Sequence, residues 1–331
     1  MFGIDWLTLL SAGALAFSVL IYVLLDGTDL GVGMLMGANR RAQDREVMVL
    51  SILPVWDANE TWLVLGGGGL LALFPLAYAV LLPALYLPFL LMFMALILRA
   101  VALEFREHVA RKDLADGVLL AGSLLTTFCQ GLALGTLVQG VPHAGGQYSG
   151  SGWEWLAPFP LFCGLALAAG YLWLGACWLY WRTEGELHRR SARQAKGLAV
   201  VAMTLLAGVL GWSLTLDERY VQHLSHPWIA GPAAVAVLAL LTGFWLAFRS
   251  ARHCLPLFAA LGVVVVAFKV MLVEIFPLIV PPALTLAEAA SPASTQVFML
   301  VGFAVVVPVT LAYNTFGFRV FAGKIRPAKQ G

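Results

Sequence analysis

The fold is decided by residues 7–36, which read LTLLSAGALAFSVLIYVLLDGTDLGVGMLM. The stretch carries no charge before Asp26. It is long enough for a helix to cross a hydrocarbon layer about 30 Å thick. Two acids, Asp26 and Asp29, nevertheless stand inside it. The sequence therefore predicts a membrane-spanning helix that carries ionisable groups.

The composition of the whole chain gives the same class of protein. Apolar residues make up 61% of the 331 positions and charged residues 11%, whereas a soluble protein has about 25% charged residues. The prediction is an all-α integral membrane protein. The net charge of +2 and the lack of basic runs with interleaved aromatics predict no nucleic-acid partner.

Walking along the chain gives nine apolar segments of membrane-spanning length, joined by short polar connections. The prediction is a single polytopic domain over residues 1–331. Its nine spans are expected at 7–36, 47–73, 78–101, 115–138, 156–181, 197–216, 227–248, 255–280 and 296–321.

The distribution of Lys and Arg predicts the orientation of these spans. Seventeen of the 20 basic residues fall in alternate connections and the C-terminal tail, and the opposite set of connections holds only Arg219. Cytoplasmic connections carry the excess of Lys and Arg. The N-terminus is therefore predicted to be periplasmic and the C-terminus, with Arg326 and Lys329, cytoplasmic.

Asp26 and Asp29 are the first candidate site residues. Their i,i+3 spacing places both on one face of the helix, and Gly27, Gly31 and Gly33 remove side-chain bulk beside them. Two neighbouring carboxyl groups in a low-dielectric medium do not both ionise readily, so the pair can hold a proton. The alternative is a pair of acids that only hydrogen-bond a neighbouring helix.

The second predicted span contains a denser polar segment, residues 54–63, with the sequence PVWDANETWL. Asp57 and Glu60 repeat the i,i+3 spacing, and Asn59 lies between them. Charges at membrane depth are expensive and commonly mark proton or ion routes. The alternative is a helix start at the membrane interface, with Trp56 and Trp62 as interfacial aromatic residues.

Arg99 and Glu104 lie at the end of the third predicted span. Glu104 is a candidate for the entrance of a proton route. A role in a surface ion pair is an equally good interpretation.

Redox chemistry is expected to reside outside this chain. Buried haem usually takes axial His or Met ligands, but all six histidines fall in connections or at the edges of spans. The sequence also contains no nucleotide-binding loop, zinc-protease motif or nucleophile elbow. We therefore predict no metal site and no directly bound cofactor.

Several segments together resemble subunit II of the cytochrome bd-type quinol oxidases, a group that includes the cyanide-insensitive oxidases. Residues 26–34, DGTDLGVGM, look like the first-helix motif of that family, and residues 54–63 are similar to its second-helix pattern. Further matches follow in family order at 99–106 and 185–188. The departures are Thr28, Thr61 and Ala58, where Gly is usual.

The resemblance implies a nine-helix subunit paired with a subunit I of homologous fold, which carries haems b and d. It implies that subunit II stabilises its partner and helps to supply protons and oxygen. Asp26, Asp29, Asp57 and Glu104 match acidic motif positions, Glu60 stands where the family has Glu or Gln, and Trp62 matches a tryptophan near the proposed oxygen access. Further expected partners are lipids, a structural quinone and a small single-span accessory subunit.

Two functional hypotheses follow. The first is a haem-free oxidase subunit in a complex that oxidises quinol and reduces dioxygen to water. The second is a stand-alone proton-coupled transporter, since Pro54 and the glycines at 66–69 interrupt a polar membrane helix as transporter sites do.

Overall fold

The computed structural model describes residues 4–320 and 323–325, and this part of the chain is overwhelmingly helical. It forms thirteen α-helices: α1 Trp6–Leu35, α2 Ala42–Ile52, α3 Trp56–Leu73, α4 Pro75–Ala84, α5 Tyr86–Phe105, α6 Lys112–Gln139, α7 Pro158–Arg182, α8 Gly185–Ser213, α9 Glu218–Leu224, α10 Pro227–Ala247, α11 Leu255–Ile275, α12 Leu286–Ala289 and α13 Ala293–Val320. The predicted all-α class is confirmed.

Two short hairpins lie between helices in the described residues. Strand β1, His143–Ala144, pairs with β2, Gln147–Tyr148, and strand β3, Leu278–Val280, pairs with β4, Leu284–Thr285. The amide of Val141 donates a 2.9 Å hydrogen bond to the carbonyl of Pro281. The two connections are therefore joined at one end of the helix bundle.

Eight helices of the described chain are long and apolar enough to cross a membrane: α1 with its short 3-10 extension, α5, α6, α7, α8, α10, α11 and α13. Helix α3 has 18 residues and is missing from this group. Its first two turns carry Asp57, Asn59 and Glu60, and four glycines follow them.

The predicted span at 47–73 is not one helix. Helix α2 ends at Ile52 and α3 begins at Trp56. Pro54 lacks the N–H that would donate to the carbonyl of Leu50, and its ring crowds that carbonyl. The apolar run that suggested a continuous helix is therefore interrupted in front of the polar segment.

Three other predicted boundaries also differ. The span at 78–101 starts within α4 and ends within α5, with a break at Leu85, because Pro88 cannot donate to the carbonyl of Ala84. Helix α8 begins at Gly185, twelve residues before the predicted 197, because its charged first turns are helical too. Helix α11 ends at Ile275 rather than at 280, just before Pro277. Residue 321 of the last predicted span, and Arg326 and Lys329, lie outside the described residues.

Helix α1 is central to the bundle and packs against α3, α6 and α7. Its second half is buried from Asp26 to Leu35. A Cβ atom at Gly31 would overlap the carbonyl oxygen of Tyr171 in α7, and one at Gly33 would overlap the hydroxyl of Ser123 in α6. These glycines allow the backbones to approach closely, and this approach holds the acidic part of α1 inside the protein.

Candidate functional site

An ion-pair cluster lies where α1, α3 and α5 meet. Asp26 of α1 and Arg99 of α5 are both fully buried. The Nη1 atom of Arg99 lies 3.1 Å from Oδ1 of Asp26 and 3.1 Å from Oε1 of Glu60 in α3. One guanidinium therefore joins carboxyl groups from two other helices. We call Asp26, Asp29, Glu60 and Arg99 the acidic cluster.

Asp29 is the second buried carboxyl group of α1. It is 2% exposed, and its Oδ2 accepts a 2.7 Å hydrogen bond from Nδ2 of Asn59. Asp29 lies one helical turn beyond Asp26 on α1, and its hydrogen-bond partner is on α3, whereas Asp26 contacts Arg99 of α5. Asn59 is thereby held with its amide nitrogen toward Asp29.

The acidic cluster is not a closed set of salt bridges. Both carboxyl oxygens of Asp26, and Nε and Nη2 of Arg99, lack a hydrogen-bond partner among the described residues. If all four groups were ionised, the cluster would carry a net charge of −2. Buried charge without compensation costs several kcal/mol per ion, and one guanidinium does not balance three carboxyl groups.

A chain of neutral hydrogen bonds lies beside the cluster. Nε2 of Gln130 in α6 donates to the hydroxyl of Tyr22 at 2.7 Å, and the hydroxyl of Tyr171 in α7 donates to Oε1 of Gln130 at 2.9 Å. Tyr22 lies one turn before Asp26 on α1. The sequence reasoning missed this chain. Its one signal was Gln130, an amide in the middle of an apolar helix.

Two of the five predicted acids lie outside the cluster. Asp57 is exposed, and its carboxylate accepts a 2.8 Å hydrogen bond from the amide of Ala58 in its own first turn. Glu104 is also exposed and accepts a 3.2 Å bond from the indole of Trp56. In the described chain, Asp57 and Glu60 therefore face different surroundings despite their spacing.

Trp62 is fully buried on α3 and packs edge to face against Phe17, with ring centroids 6.0 Å apart. Its indole nitrogen lacks a hydrogen-bond partner among the described residues. This aromatic pair lies on the apolar part of the α1–α3 contact.

A further buried carboxyl group, Glu274, stands near the other end of the bundle. The hydroxyl of Ser213 in α8 donates a short hydrogen bond to it. The side chain lies beside a small core formed by Val138, Phe159 and Cys163, among others. Glu274 therefore has its hydrogen-bond partner on another helix.

Groups of three or more metal-ligating side chains are not found in the described part of the chain. The cysteines Cys129, Cys163, Cys177 and Cys254 are free thiols, and the first three are buried. The arrangement that stands out chemically is therefore the acidic cluster, which can hold and exchange protons.

Together, the helices and the cluster define a multi-spanning membrane protein with ion-paired carboxyl groups in its interior. The family model for cytochrome bd terminal oxidase subunit II matches residues 7–321. The chain belongs to this family, and it is a multi-pass protein of the bacterial inner membrane.

Similar proteins agree with this assignment. Cytochrome bd-I ubiquinol oxidase subunit 2 of Escherichia coli K12 is 28% identical over 92% of this chain and 91% of its own length. Probable cytochrome oxidase subunit 2 of Haemophilus influenzae is 29% identical over 93% of each. A chain of the bd oxidase from Geobacillus thermodenitrificans has the same fold, with a TM-score of 0.81, 16% identity, and coverage of 96% of this chain and 99% of that one. The oxidase hypothesis is thus confirmed over the transporter.

Proposed function

We propose that this chain is the haem-free second subunit of a quinol:dioxygen oxidoreductase, and that it supplies protons to a subunit I carrying haems b and d. The observation that supports the proposal is the acidic cluster, in which two fully buried side chains and a 2% exposed carboxyl group meet at one point. Such a group of acids is expensive inside a membrane and is best explained by proton transfer.

The histidines of this chain do not suit a haem. They lie in connections, in a hairpin, or in the first turn of α8 and the short α9: His108, His143, His188, His223, His226 and His253. Three of them have ring nitrogens within 3.2 Å of backbone carbonyl oxygens. This donor set supports haem binding by the partner, and we assign no reaction step to haem in this chain.

Nine spans in a single domain over residues 1–331 remain our proposal. The ninth would be α3, whose 18 residues rise about 27 Å. Its polar first turns are paired with α1 and α5, and this pairing offsets their poor fit to lipid. The basic residues support a periplasmic N-terminus and a cytoplasmic C-terminus.

The partner would cover an exposed face that includes parts of α3, α5 and α13. Exposed side chains on these helices in the isolated chain include Asp57 and Val64 on α3, Val101 on α5, and Val305 and Val309 on α13. A mixture of apolar side chains and one carboxylate suits a helical partner in the membrane better than lipid. Lipids, a structural quinone and a single-span accessory subunit are further expected partners.

In the proposed route, protons pass from the cytoplasmic side to Asp29 and the rest of the acidic cluster. They then pass to the partner at Asp57, with Glu104 near the surface of the same face. Arg99 balances the charge of the acids between transfers. Gln130 and Tyr22 supply hydrogen bonds beside Asp26 that can reorganise as the charge changes.

Oxygen access is proposed at Trp62. Its buried ring and the neighbouring Phe17 form an apolar contact beside the glycine run of α3. Dioxygen, which is apolar, partitions into such a region. Trp62→Ala is expected to change the apparent KM for oxygen rather than the maximal rate, as measured with an oxygen electrode.

The experiment replaces Asp29 by Asn and, separately, Asp57 by Asn in the assembled complex. Loss of a proton-transferring group typically lowers the rate about 10²-fold or more, so quinol-dependent oxygen consumption should fall steeply while haem content is retained. Asp113→Asn is the control, because that side chain is 82% exposed. If haem content falls together with the rate, the acids are structural and the proposal is wrong.

A further inference from the structure

A cavity of about 230 Å³ lies between the start of α3 and the end of α13. The proposed proton route does not use it. From α3 it is lined by Ala58 and Asn59, and from α13 by Tyr313, Asn314 and Gly317. This is the end of the bundle that we propose to be cytoplasmic.

Two of the residues that line the cavity carry polar atoms with no protein partner among the described residues. Asn314 is 6% exposed, and neither its Nδ2 nor its Oδ1 has a hydrogen-bond partner among the described residues. The Oδ1 atom of Asn59 is also without a partner there. A buried polar group left unsatisfied costs about 1–3 kcal/mol. Two asparagines, one from α3 and one from α13, thus offer a site for a ligand that donates and accepts hydrogen bonds.

Water fits this requirement in both chemistry and size. One water molecule occupies about 30 Å³ in the liquid and usually makes two to four hydrogen bonds. The cavity therefore has room for several molecules, and the two amides offer both donors and acceptors. A lipid chain would leave all three polar atoms unsatisfied.

Asn59 connects this cavity to the acidic cluster. Its Nδ2 donates to Asp29 at 2.7 Å, so the same side chain that lines the cavity also contacts the first carboxyl group. Only the side chain of Asn59 therefore separates the cavity from the carboxyl group of Asp29.

We infer that this cavity is a water-filled vestibule through which protons reach Asp29, and that Asn314 is the positioning residue that orders its water. The inference that the cavity holds water depends only on the unpartnered polar atoms of Asn59 and Asn314. The role in proton delivery rests on the proposed function.

The first test measures the hydration of the cavity by thiol labelling in the assembled complex. Gly317→Cys introduces a thiol on the cavity wall, where a Cβ would meet only Cγ1 of Val55 at 4.0 Å. Gly243→Cys is the control, because Gly243 is exposed on α10 and a Cβ there meets nothing within 4 Å. Gly243 also lies at a similar distance from the end of its helix. Both variants carry Cys254→Ser, because Cys254 is the native cysteine that is not buried.

A small charged methanethiosulfonate reacts with thiolates, which form only in contact with water. We expect it to label Gly317→Cys at least about tenfold faster than Gly243→Cys, and only when added to the proposed cytoplasmic side of membrane vesicles. Equal labelling rates for the two cysteines would overturn the vestibule. This is the result expected if a lipid chain or a partner side chain fills the cavity and excludes the reagent.

The second test addresses Asn314. Asn314→Leu removes the amide but keeps the volume, and we expect a severalfold loss of oxidase rate at unchanged haem content, growing with pH as protons become scarce. Asn314→Ser, which restores a donor and an acceptor, should recover most of the rate. A full rate in Asn314→Leu would overturn the role of Asn314.

The two tests separate this inference from the function on which it rests. If Gly317→Cys is labelled but Asp29→Asn retains its full rate, the vestibule stands and the proton route through Asp29 is refuted. If Asp29→Asn is slow but Gly317→Cys reacts no faster than the control, the route stands and the vestibule is refuted.

Discussion

Replacing Arg99 by Leu tests the physical basis of the acidic cluster most directly. The guanidinium is fully buried and lies 3.1 Å from carboxyl oxygens of both Asp26 and Glu60. Leu keeps only the aliphatic start of the side chain and has no charged group. The substitution therefore removes the positive charge and leaves three acids facing one another.

The expected magnitude follows from these distances. At an effective dielectric constant of about 20, each 3.1 Å contact corresponds to about 5 kcal/mol of attraction before desolvation is subtracted. Removing one partner of a buried ion pair typically costs about 3–5 kcal/mol, because the remaining charge stays buried. Since Arg99 serves two acids, we expect a loss at the upper end of that range.

The assay is the thermal unfolding midpoint of the detergent-solubilised oxidase complex, together with its haem content. The control is Arg189→Leu, because Arg189 is 72% exposed in its pair with Glu186, and exposed pairs contribute about 0–1 kcal/mol. Adding Asp26→Asn to Arg99→Leu should recover part of the stability. Equal midpoints for Arg99→Leu and Arg189→Leu would refute the reasoning.

Three further predictions concern the surrounding structure. Gly31→Ala is expected to lower the unfolding midpoint strongly and Gly13→Ala hardly at all, because an added Cβ overlaps backbone only at the first position; equal effects would contradict close packing. Partial burial pushes the pKa of Glu154 upward, but hydrogen bonds from Tyr148 and the adjoining loop outweigh it and lower the pKa to about 2. The stabilisation of this loop is thus complete above the usual carboxyl pKa of about 4.3 and lost as the pH falls toward 2, so amide protection factors should decline over that window and be pH-independent in Glu154→Gln. Asp116→Asn weakens two arginine contacts and should lower the midpoint by more than a substitution at an exposed acid; an unchanged midpoint would contradict this.

Much of the fold could be predicted from the sequence, because membrane helices are specified by local composition. Eight of the nine predicted spans correspond to helices of membrane-spanning length and hydropathy. The helix breaks at Pro54 and Leu85 were harder to predict. The residues on both sides of each break are apolar, so the mean hydropathy of the segment does not show the interruption. The polar start of α3 could be recognised as unusual, but not as paired with α1 and α5.

The site was predictable in its residue types and less so in its contacts. Asp26 and Asp29, which their spacing placed on one helix face, are both buried in the acidic cluster. By contrast, Asp57 and Glu60 have the same spacing but different environments. Glu60 contacts Arg99 on α5, whereas Asp57 is exposed. Arg99 appeared to be a residue near the end of a span, and its central position depends on how α5 packs. Contacts between distant helices are not encoded in the spacing along any one of them.

The weak hydropathy of α3 has a consequence for biogenesis. On insertion scales an acid at the centre of a helix costs about 2.5–3.5 kcal/mol, and α3 opens with Asp57 and Glu60 and then a run of glycines. The polar start of this helix is a poor fit to lipid on its own, and its partners Asp29 and Arg99 lie on α1 and α5. Because α5 follows α3 in the chain, the Glu60–Arg99 pair can form only after α5 has been synthesised, so the polar start of α3 lacks this partner during the first stage of synthesis.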